Sequence, residues 1–165
     1  MAGFHTKTFL VYDDYMTPKS AWESIDHLIP KNKVIWEAFY GNGKSGEYLR
    51  ELGYNVIHEK IDFFENNLGE VIISNPPFSK AKEILKRLKE LDKPFILIMP
   101  ISKLTTSYFR ECFKGDNDFQ FIIPRKRIQF DKLVDGDEKQ QNKCNFDCVF
   151  YCYKIHLQNS ITWLD

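Results

Sequence analysis

Short apolar runs alternate along the chain with segments whose apolar residues recur every three or four positions. The runs predict buried strands, and the periodic segments predict amphipathic helices. Strands that alternate with helices favour a mostly parallel sheet with helices on both faces. The predicted strands cover 34–37, 55–58, 71–74, 94–100, 119–124 and 146–153, with a further short run at 8–12, and the predicted helices cover about 17–30, 45–52, 79–91 and 105–113.

The pattern changes after residue 124, where no helix separates the last two long strands. A loop connection allows neighbouring strands to run in opposite directions, so we expect the last strand to be antiparallel. The polar segment from Asp131 to Asn145 contains few apolar residues and predicts a mobile loop. The expected architecture is an α/β fold whose mostly parallel, seven-stranded sheet has an antiparallel last strand.

Length and composition narrow the class of protein. The chain has 165 residues, 43% of them apolar, which fits a single domain over residues 1–165. It shows neither an apolar run of the roughly 20 residues that cross a bilayer nor a hydrophobic leader, so we expect a cytoplasmic protein without a membrane contact. Lys plus Arg and Asp plus Glu both number 23. This balance argues against strong non-specific binding to a polyanion, and any basic surface must be local.

The four cysteines are Cys112, Cys144, Cys148 and Cys152, and they contain no C-x-x-C pair. The last three are spaced by four residues and share one face of the predicted strand. We predict buried free thiols and no metal site.

Candidate chemistry gathers at the end of the run Val71–Ser74. Pro76 and Pro77 end this strand, because neither can donate a ladder hydrogen bond, and Asn75 therefore stands at its carboxyl tip. Ligands of open α/β sheets bind at that edge. The Asn75 side-chain oxygen and the Pro76 carbonyl can accept from an exocyclic amino group while Phe78 stacks on the base, so the group suits an adenine. For these four residues alone, the alternative is a strand followed by a proline loop.

A second candidate feature follows the predicted strand at 34–37. Gly41 and Gly43 stand one residue apart there and permit close approach of a ligand to backbone amides, although a flexible loop is the alternative. The next strand ends at Glu59, an acid that can accept from both hydroxyls of a ribose. Asp62 lies just beyond, beside Phe63; taken alone, it would be an acidic turn packed on core aromatic rings.

The tetrapeptide Asn75-Pro76-Pro77-Phe78 after a hydrophobic strand resembles the catalytic motif of S-adenosylmethionine-dependent amino-methyltransferases, chiefly those that act on adenine. Residues 12 to 153 resemble the Rossmann-like class I methyltransferase fold as a whole. The pattern is most similar to small phage and viral adenine-specific DNA methyltransferases. The resemblance implies S-adenosylmethionine as the cofactor, DNA as the partner, and N6 of adenine as the methylated atom.

The resemblance also implies site residues. Asn75, Pro76, Pro77 and Phe78 would be catalytic, and the cofactor would be bound by Tyr15, Thr17, Glu37, Phe39, Gly41, Gly43, Glu59, Asp62 and Phe63. Glu59 would hold the ribose, and Asp62 with Phe63 would contact the adenine of the cofactor. The spacing before Asp62 is short for the family, so the two acids could exchange roles.

Substrate contact is expected from a local basic cluster, since the net charge is zero. We predict that it involves Lys103, Arg125, Lys126, Arg127 and the segment from Asp131 to Asn145; a basic edge of a turn is the alternative for the Arg125–Arg127 stretch. No segment is large enough to form a separate target-recognition domain. Sequence selection would then depend on short loops or on a partner subunit, or the protein would hardly select a sequence at all. A partner subunit or a homodimer is a further expected partner.

Three functions stay open at this point. The leading one is N6 methylation of adenine in DNA. Methylation of an RNA base or of a protein glutamine amide would use the same chemistry, because Asn-Pro-Pro-aromatic motifs occur with all of these substrates. The third is a non-catalytic nucleic-acid-binding or partner subunit that retains the fold.

Overall fold

The computed structural model describes residues 15–134, 137–140 and 147–165. The predicted run at 8–12 and Cys144 lie outside the described residues. The strands are β1 (Tyr15–Met16), β2 (Val34–Trp36), β3 (Asn55–Ile57), β4 (Val71–Ser74), β5 (Phe95–Pro100), β6 (Phe119–Ile123), β7 (Asp131–Val134), β8 (Asp137–Gln140), β9 (Cys148–Tyr153) and β10 (Ile161–Trp163). The helices are α1 (Lys19–Ile25), α2 (Lys44–Glu51), α3 (Ala81–Leu91) and α4 (Ser107–Phe113), with short 3-10 turns at Asp26–Leu28, Phe78–Lys80 and Ile101–Thr105.

Seven strands form one sheet in the order β10-β6-β9-β5-β4-β2-β3. Strand β9 is antiparallel to both of its neighbours, β5 and β6, and the other six strands point the same way. This arrangement confirms the predicted fold class, a mostly parallel, Rossmann-like α/β sheet of seven strands. The antiparallel strand is the last long one, as expected, but the short strand β10 follows it and runs parallel to β6. Because β10 has three residues and a largely exposed surface, its hydrophobic pattern does not distinguish it from a loop.

A second, three-stranded antiparallel sheet is formed by β1, β7 and β8. The prediction of a mobile loop from Asp131 to Asn145 is wrong for the described part of that segment, where β7 and β8 pair with each other. All four residues of β8 are polar, so apolar alternation could not reveal the strand. Residues 135–136 and 141–146 lie outside the described part of the chain.

Helices cover both faces of the large sheet. Trp22 of α1 and Leu49 of α2 belong to the apolar cluster on one face, and Leu85 of α3 and Phe113 of α4 belong to the cluster on the other. All six residues of β5 are buried between the two layers, as expected for a central strand covered on both sides. Across the described ranges, none of the helices has the length and hydrophobicity that crossing a membrane requires.

The helix starts differ from those predicted. Thr17 does not cap α1, which begins at Lys19 with Pro18 in the N-cap position, and Ser79 lies in the 3-10 turn that precedes α3. Thr17 is buried, with 4% of its surface exposed. Cys148 and Cys152 are buried free thiols as predicted, whereas Cys112 is a half-buried one.

Gly46 in α2 lies where His58 packs against the helix, and this close contact predicts a large stability effect. A Cβ atom at Gly46 would lie 2.0 Å from Nδ1 and 2.4 Å from Cβ of His58, and both residues are buried. At a solvent-exposed position inside a helix, replacing Gly by Ala raises the free energy of unfolding by roughly 1 kcal/mol. Here the clash reverses the sign, and we expect Gly46→Ala to lower the free energy of unfolding by roughly 2 kcal/mol in urea titrations.

The double variant Gly46→Ala/His58→Ala is the control, because it removes the clashing ring. Its free energy of unfolding should exceed the value expected from adding the two single substitutions. Wild-type stability for Gly46→Ala alone would contradict this account of the helix packing.

Candidate active site

A cavity of about 360 Å³ opens at the carboxyl ends of β2 and β4. Its volume lies within the range of small-molecule sites. Because β2 and β4 are parallel neighbours, the residues that follow Trp36 and Ser74 meet at one edge of the sheet. Tyr15 and Met16 of β1 also line the cavity, so the small sheet supplies part of its wall.

The cavity brings together most of the predicted catalytic and cofactor residues, which are Tyr15, Thr17, Glu37, Phe39, Gly41, Asp62, Phe63, Asn75, Pro76, Pro77 and Phe78. Among the described residues that form its wall, Gly43 and Glu59 are absent. Gly43 instead starts α2 with a left-handed φ of 86°, and a Cβ there would lie 2.8 Å from the Tyr40 hydroxyl oxygen. Glu59 is exposed on the turn after β3.

The predicted substrate residues lie outside this cavity. Lys103 is in the 3-10 turn after β5. Arg125, Lys126 and Arg127 line a separate groove of about 590 Å³. Pro18 lines that groove, whereas the preceding residue, Thr17, lines the cavity. The basic cluster is therefore placed next to the cavity and not inside it.

Glu37 is completely buried at the end of β2 and is held by three hydrogen-bond donors. The Ser45 hydroxyl donates to Oε2 at 2.5 Å, and the Ser74 hydroxyl and the Phe39 backbone N–H donate to Oε1. The Trp22 indole N–H in turn donates to Ser45 Oγ at 2.9 Å. Burial raises the pKa of Glu37 from 4.5 to about 7, although the three hydrogen bonds act in the opposite direction.

Within the described part of the chain, no cationic side chain forms an ion pair with Glu37. A buried carboxylate without a counter-charge is costly. The position of Glu37 in the cavity wall therefore favours a ligand that carries a positive charge nearby.

The side-chain amide of Asn75 has a defined orientation. Its nitrogen donates to the backbone carbonyl of Tyr15 at 3.1 Å, and a carbonyl can only accept, so the nitrogen must face β1. The amide oxygen is buried and has no hydrogen-bond partner within the described residues. An unpaired buried acceptor costs about 1–3 kcal/mol, and an N–H donor on a ligand would recover that free energy.

Aromatic rings occupy two parts of the cavity wall. Phe39 and Phe63 pack with their ring centroids 5.0 Å apart. Phe78 is 5% exposed and packs edge-on against Phe130 at 6.1 Å, and Phe130 packs edge-on against Tyr15 at 6.0 Å. Stacking of Phe78 on a base stays a prediction.

Asp62 is the strand-end acid that reaches the cavity. Its carboxylate accepts from the Phe64 backbone N–H at 2.8 Å, which fixes the turn after β3, and its side chain is half-buried. A carboxylate has two oxygens with several lone pairs, so this bond leaves capacity for a ligand.

Sequence reasoning missed the two serines that hold Glu37. Ser74 carries a usable signal, because a hydroxyl at the end of a fully buried strand needs a partner. Ser45 carries a weaker one, since a serine that follows a glycine-rich turn is equally suited to an exposed position. Other wall residues that the sequence did not single out include Met16, Tyr40, Asn42 and Lys80.

No known family model matches the chain, and no curated protein matches it significantly. One solved structure with a similar fold is the tRNA methyltransferase TrmI from Aquifex aeolicus, which is 14% identical with a TM-score of 0.40 over 92% of this chain and 72% of that chain.

Proposed function

We propose that the protein transfers a methyl group from S-adenosylmethionine to the N6 amino group of adenine in DNA. The observation that carries this proposal is the Asn75 amide. Its nitrogen is held by the Tyr15 carbonyl and its buried oxygen is unpaired, in the wall of a cavity that also contains Glu37 and Asp62. An acceptor so placed suits an amine substrate.

The residues of the cavity fit the proposed cofactor. The buried carboxylate of Glu37 lacks a cation in the described chain, and the methionine end of S-adenosylmethionine is positively charged. Asp62 would accept from the ribose hydroxyls, in the role that the family pattern gave first to Glu59, because Asp62 lines the cavity and Glu59 does not. Phe39 and Phe63 offer apolar surface to the adenine ring. When bound, the cofactor supplies an electrophilic methyl group on its sulfonium.

The chain itself would mainly position and activate the amine. The lone pair of an adenine amino group is delocalised into the ring, and hydrogen bonds to the Asn75 oxygen and the Pro76 carbonyl favour the tetrahedral nitrogen that attacks the methyl group. These bonds are stronger in the transition state than in the ground state, which is what accelerates a reaction. In duplex DNA the adenine must leave the stack, and Phe78 in the cavity wall would replace part of the stacking that is given up.

The same chemistry would serve an RNA base or a glutamine amide. The basic groove beside the cavity favours a polyanion over a protein amide. Incubation with tritiated S-adenosylmethionine and DNA, RNA or total protein, followed by hydrolysis and separation of the products, distinguishes the three. We expect labelled N6-methyladenine from DNA. Label found only in RNA or only in protein would show that DNA is not the substrate and would identify the substrate class instead. Cofactor binding without any transfer would favour the non-catalytic subunit.

Asp62 and Glu59 form a matched pair for testing the cofactor site. Asp62→Ala should weaken S-adenosylmethionine binding by roughly tenfold, because it removes charge-assisted hydrogen bonds worth about 1.5–3 kcal/mol. Glu59→Ala should leave the affinity within about twofold, since Glu59 lies outside the cavity. Titration calorimetry measures both. If Glu59→Ala lost affinity for S-adenosylmethionine and Asp62→Ala did not, Glu59 and not Asp62 would be the acid that binds the ribose.

A further inference from the structure

The groove of about 590 Å³ beside the cavity combines positive charge with an exposed aromatic ring. Arg125 and Lys126 are exposed and form no ion pair in the described part of the chain, whereas Arg127 is paired with Asp147 at 2.5 Å. Trp163 on β10 lines the same groove and is 72% exposed. The acidic residue among those that line the groove is Asp165. Arg125 and Lys126 are thus the cations left available to a ligand.

The exposure of Trp163 is unusual for its chain. The other two tryptophans, Trp22 and Trp36, are completely buried. An indole that is 72% exposed gains little from packing, so its flat face is open to a ligand in the groove. Beside two available cations, a flat ring offers the combination that single-stranded nucleic acid uses, namely base stacking together with phosphate contacts.

The groove also contains an unpaired polar group. The side-chain oxygen of Gln129 is buried and lacks a hydrogen-bond partner within the described residues. Gln129 lines the groove, and an amide oxygen can accept from the amino group of a base. The groove thus offers an acceptor for a base amino group, cations for a phosphate and an aromatic ring for a base face.

The groove and the cavity share a boundary. Thr17 lines the cavity and Pro18 lines the groove, and consecutive Cα atoms are about 3.8 Å apart. On the other side, Gln129 lines the groove while the next residue, Phe130, packs against Phe78 of the cavity wall. A strand whose target base enters the cavity would place its neighbouring nucleotides in the groove.

We propose that this groove binds unpaired nucleotides next to the target base, with a base stacked on Trp163 and phosphates held by Arg125 and Lys126. The inference rests on the proposed function, because it assumes a nucleic-acid substrate. It adds a preference for a strand that is single or locally opened, since a base inside a duplex has no free face for the indole.

The test measures binding of a fluorescein-labelled single strand of about 12 nucleotides and of the matching blunt duplex, by anisotropy. Trp163→Ala should weaken binding of the single strand by roughly five- to 100-fold, and Trp163→Phe should keep most of the affinity because it keeps a ring. Ile161→Ala is the matched control, since Ile161 is 47% exposed on the same strand but does not line the groove. Its affinity should equal that of wild type. Replacing Arg125 and Lys126 by Ala should lower the salt slope by about 0.7 for each phosphate that the protein no longer neutralises.

Tryptophan fluorescence gives an independent readout of binding at the groove, because Trp163 is exposed whereas Trp22 and Trp36 are buried. An unlabelled single strand should quench wild-type tryptophan emission and leave the emission of Trp163→Phe nearly unchanged. Wild-type affinity for the single strand in Trp163→Ala, in a protein that still transfers methyl groups to DNA, would overturn this inference and leave the proposed function intact.

Two further outcomes separate the groove from the catalytic assignment. Binding that depends on Trp163 without methyl transfer would support the groove and reject the proposed function. A changed oligomeric state of Trp163→Ala in sedimentation, with unaltered nucleic-acid affinity, would assign the groove to a second copy of the chain and overturn the inference. If wild type bound neither DNA nor RNA at low salt, both proposals would be wrong.

Discussion

Replacing Asn75 by Ala should lower the rate of methyl transfer by about 100-fold or more, while affinity for S-adenosylmethionine stays within a few fold of wild type. The substitution removes the buried acceptor proposed to bind the substrate amine, and that bond strengthens as the nitrogen becomes tetrahedral. It also removes the 3.1 Å hydrogen bond to the Tyr15 carbonyl, so some loss of stability is expected as well.

Single-turnover kinetics at saturating cofactor, together with calorimetry of cofactor binding, measure the two effects separately. Asn55→Ala is the control, because Asn55 is an exposed amide at the amino end of β3, away from the carboxyl ends of the strands where the cavity lies. Near-normal turnover in Asn75→Ala would show that the amide does not touch the amine. A proportional loss of cofactor affinity would place the amide in the cofactor site.

Glu37→Gln should stabilise the ligand-free protein at neutral and higher pH and at the same time weaken cofactor binding. The pKa of Glu37 is about 7 in the folded protein and 4.5 in the unfolded chain, so the folded state binds the proton more tightly. This contribution to stability is complete below pH 4.5 and is lost as the pH rises towards 7. Over that window it amounts to roughly 3 kcal/mol, at about 1.36 kcal/mol for each pKa unit.

A glutamine keeps the shape of Glu37 without a charge to desolvate, and its amide can still bond to the two serine hydroxyls. The difference in free energy of unfolding between Glu37→Gln and wild type should therefore change with pH between 4.5 and 7 and become constant above. Urea titrations at several pH values measure this difference.

Cofactor affinity should move in the opposite direction from stability. Without the carboxylate, Glu37→Gln loses its attraction for the positive end of the ligand, and we expect binding to weaken by roughly tenfold or more at about pH 8. A variant that is more stable yet binds less well would show that the buried charge is kept for binding. Unchanged affinity would remove Glu37 from the cofactor site.

The elements that could be predicted from the sequence are those whose side chains pack on the sheet. Val71–Ser74 and Phe95–Pro100 are buried along their whole length, so their apolar runs fix both their type and their position. The small sheet escaped prediction because β1 has only two residues and β8 is entirely polar, so backbone pairing and not an apolar pattern defines these strands. Strand β10 also escaped prediction, because it has three residues whose side chains are mostly exposed.

The candidate site shows a similar division. The position of Asn75 was predictable because it follows a buried strand that ends at the ligand-binding edge, whereas Glu37 was indicated only by the family resemblance. The choice between Glu59 and Asp62 was not predictable, since the two acids are three residues apart and the backbone of the turn alone decides which one reaches the cavity. The contribution of Tyr15 as a hydrogen-bond acceptor depends on β1 pairing with β7, a contact between distant parts of the chain.

The position of β9 also constrains how the chain folds during synthesis. Strand β9 is fully buried and lies between β5 and β6, both of which leave the ribosome earlier. Until Cys148–Tyr153 has emerged, β5 offers an unpaired edge made of apolar residues, which is a template for aggregation. The large sheet can therefore close only after Cys148–Tyr153 has been synthesised, through contacts between distant residues that form slowly.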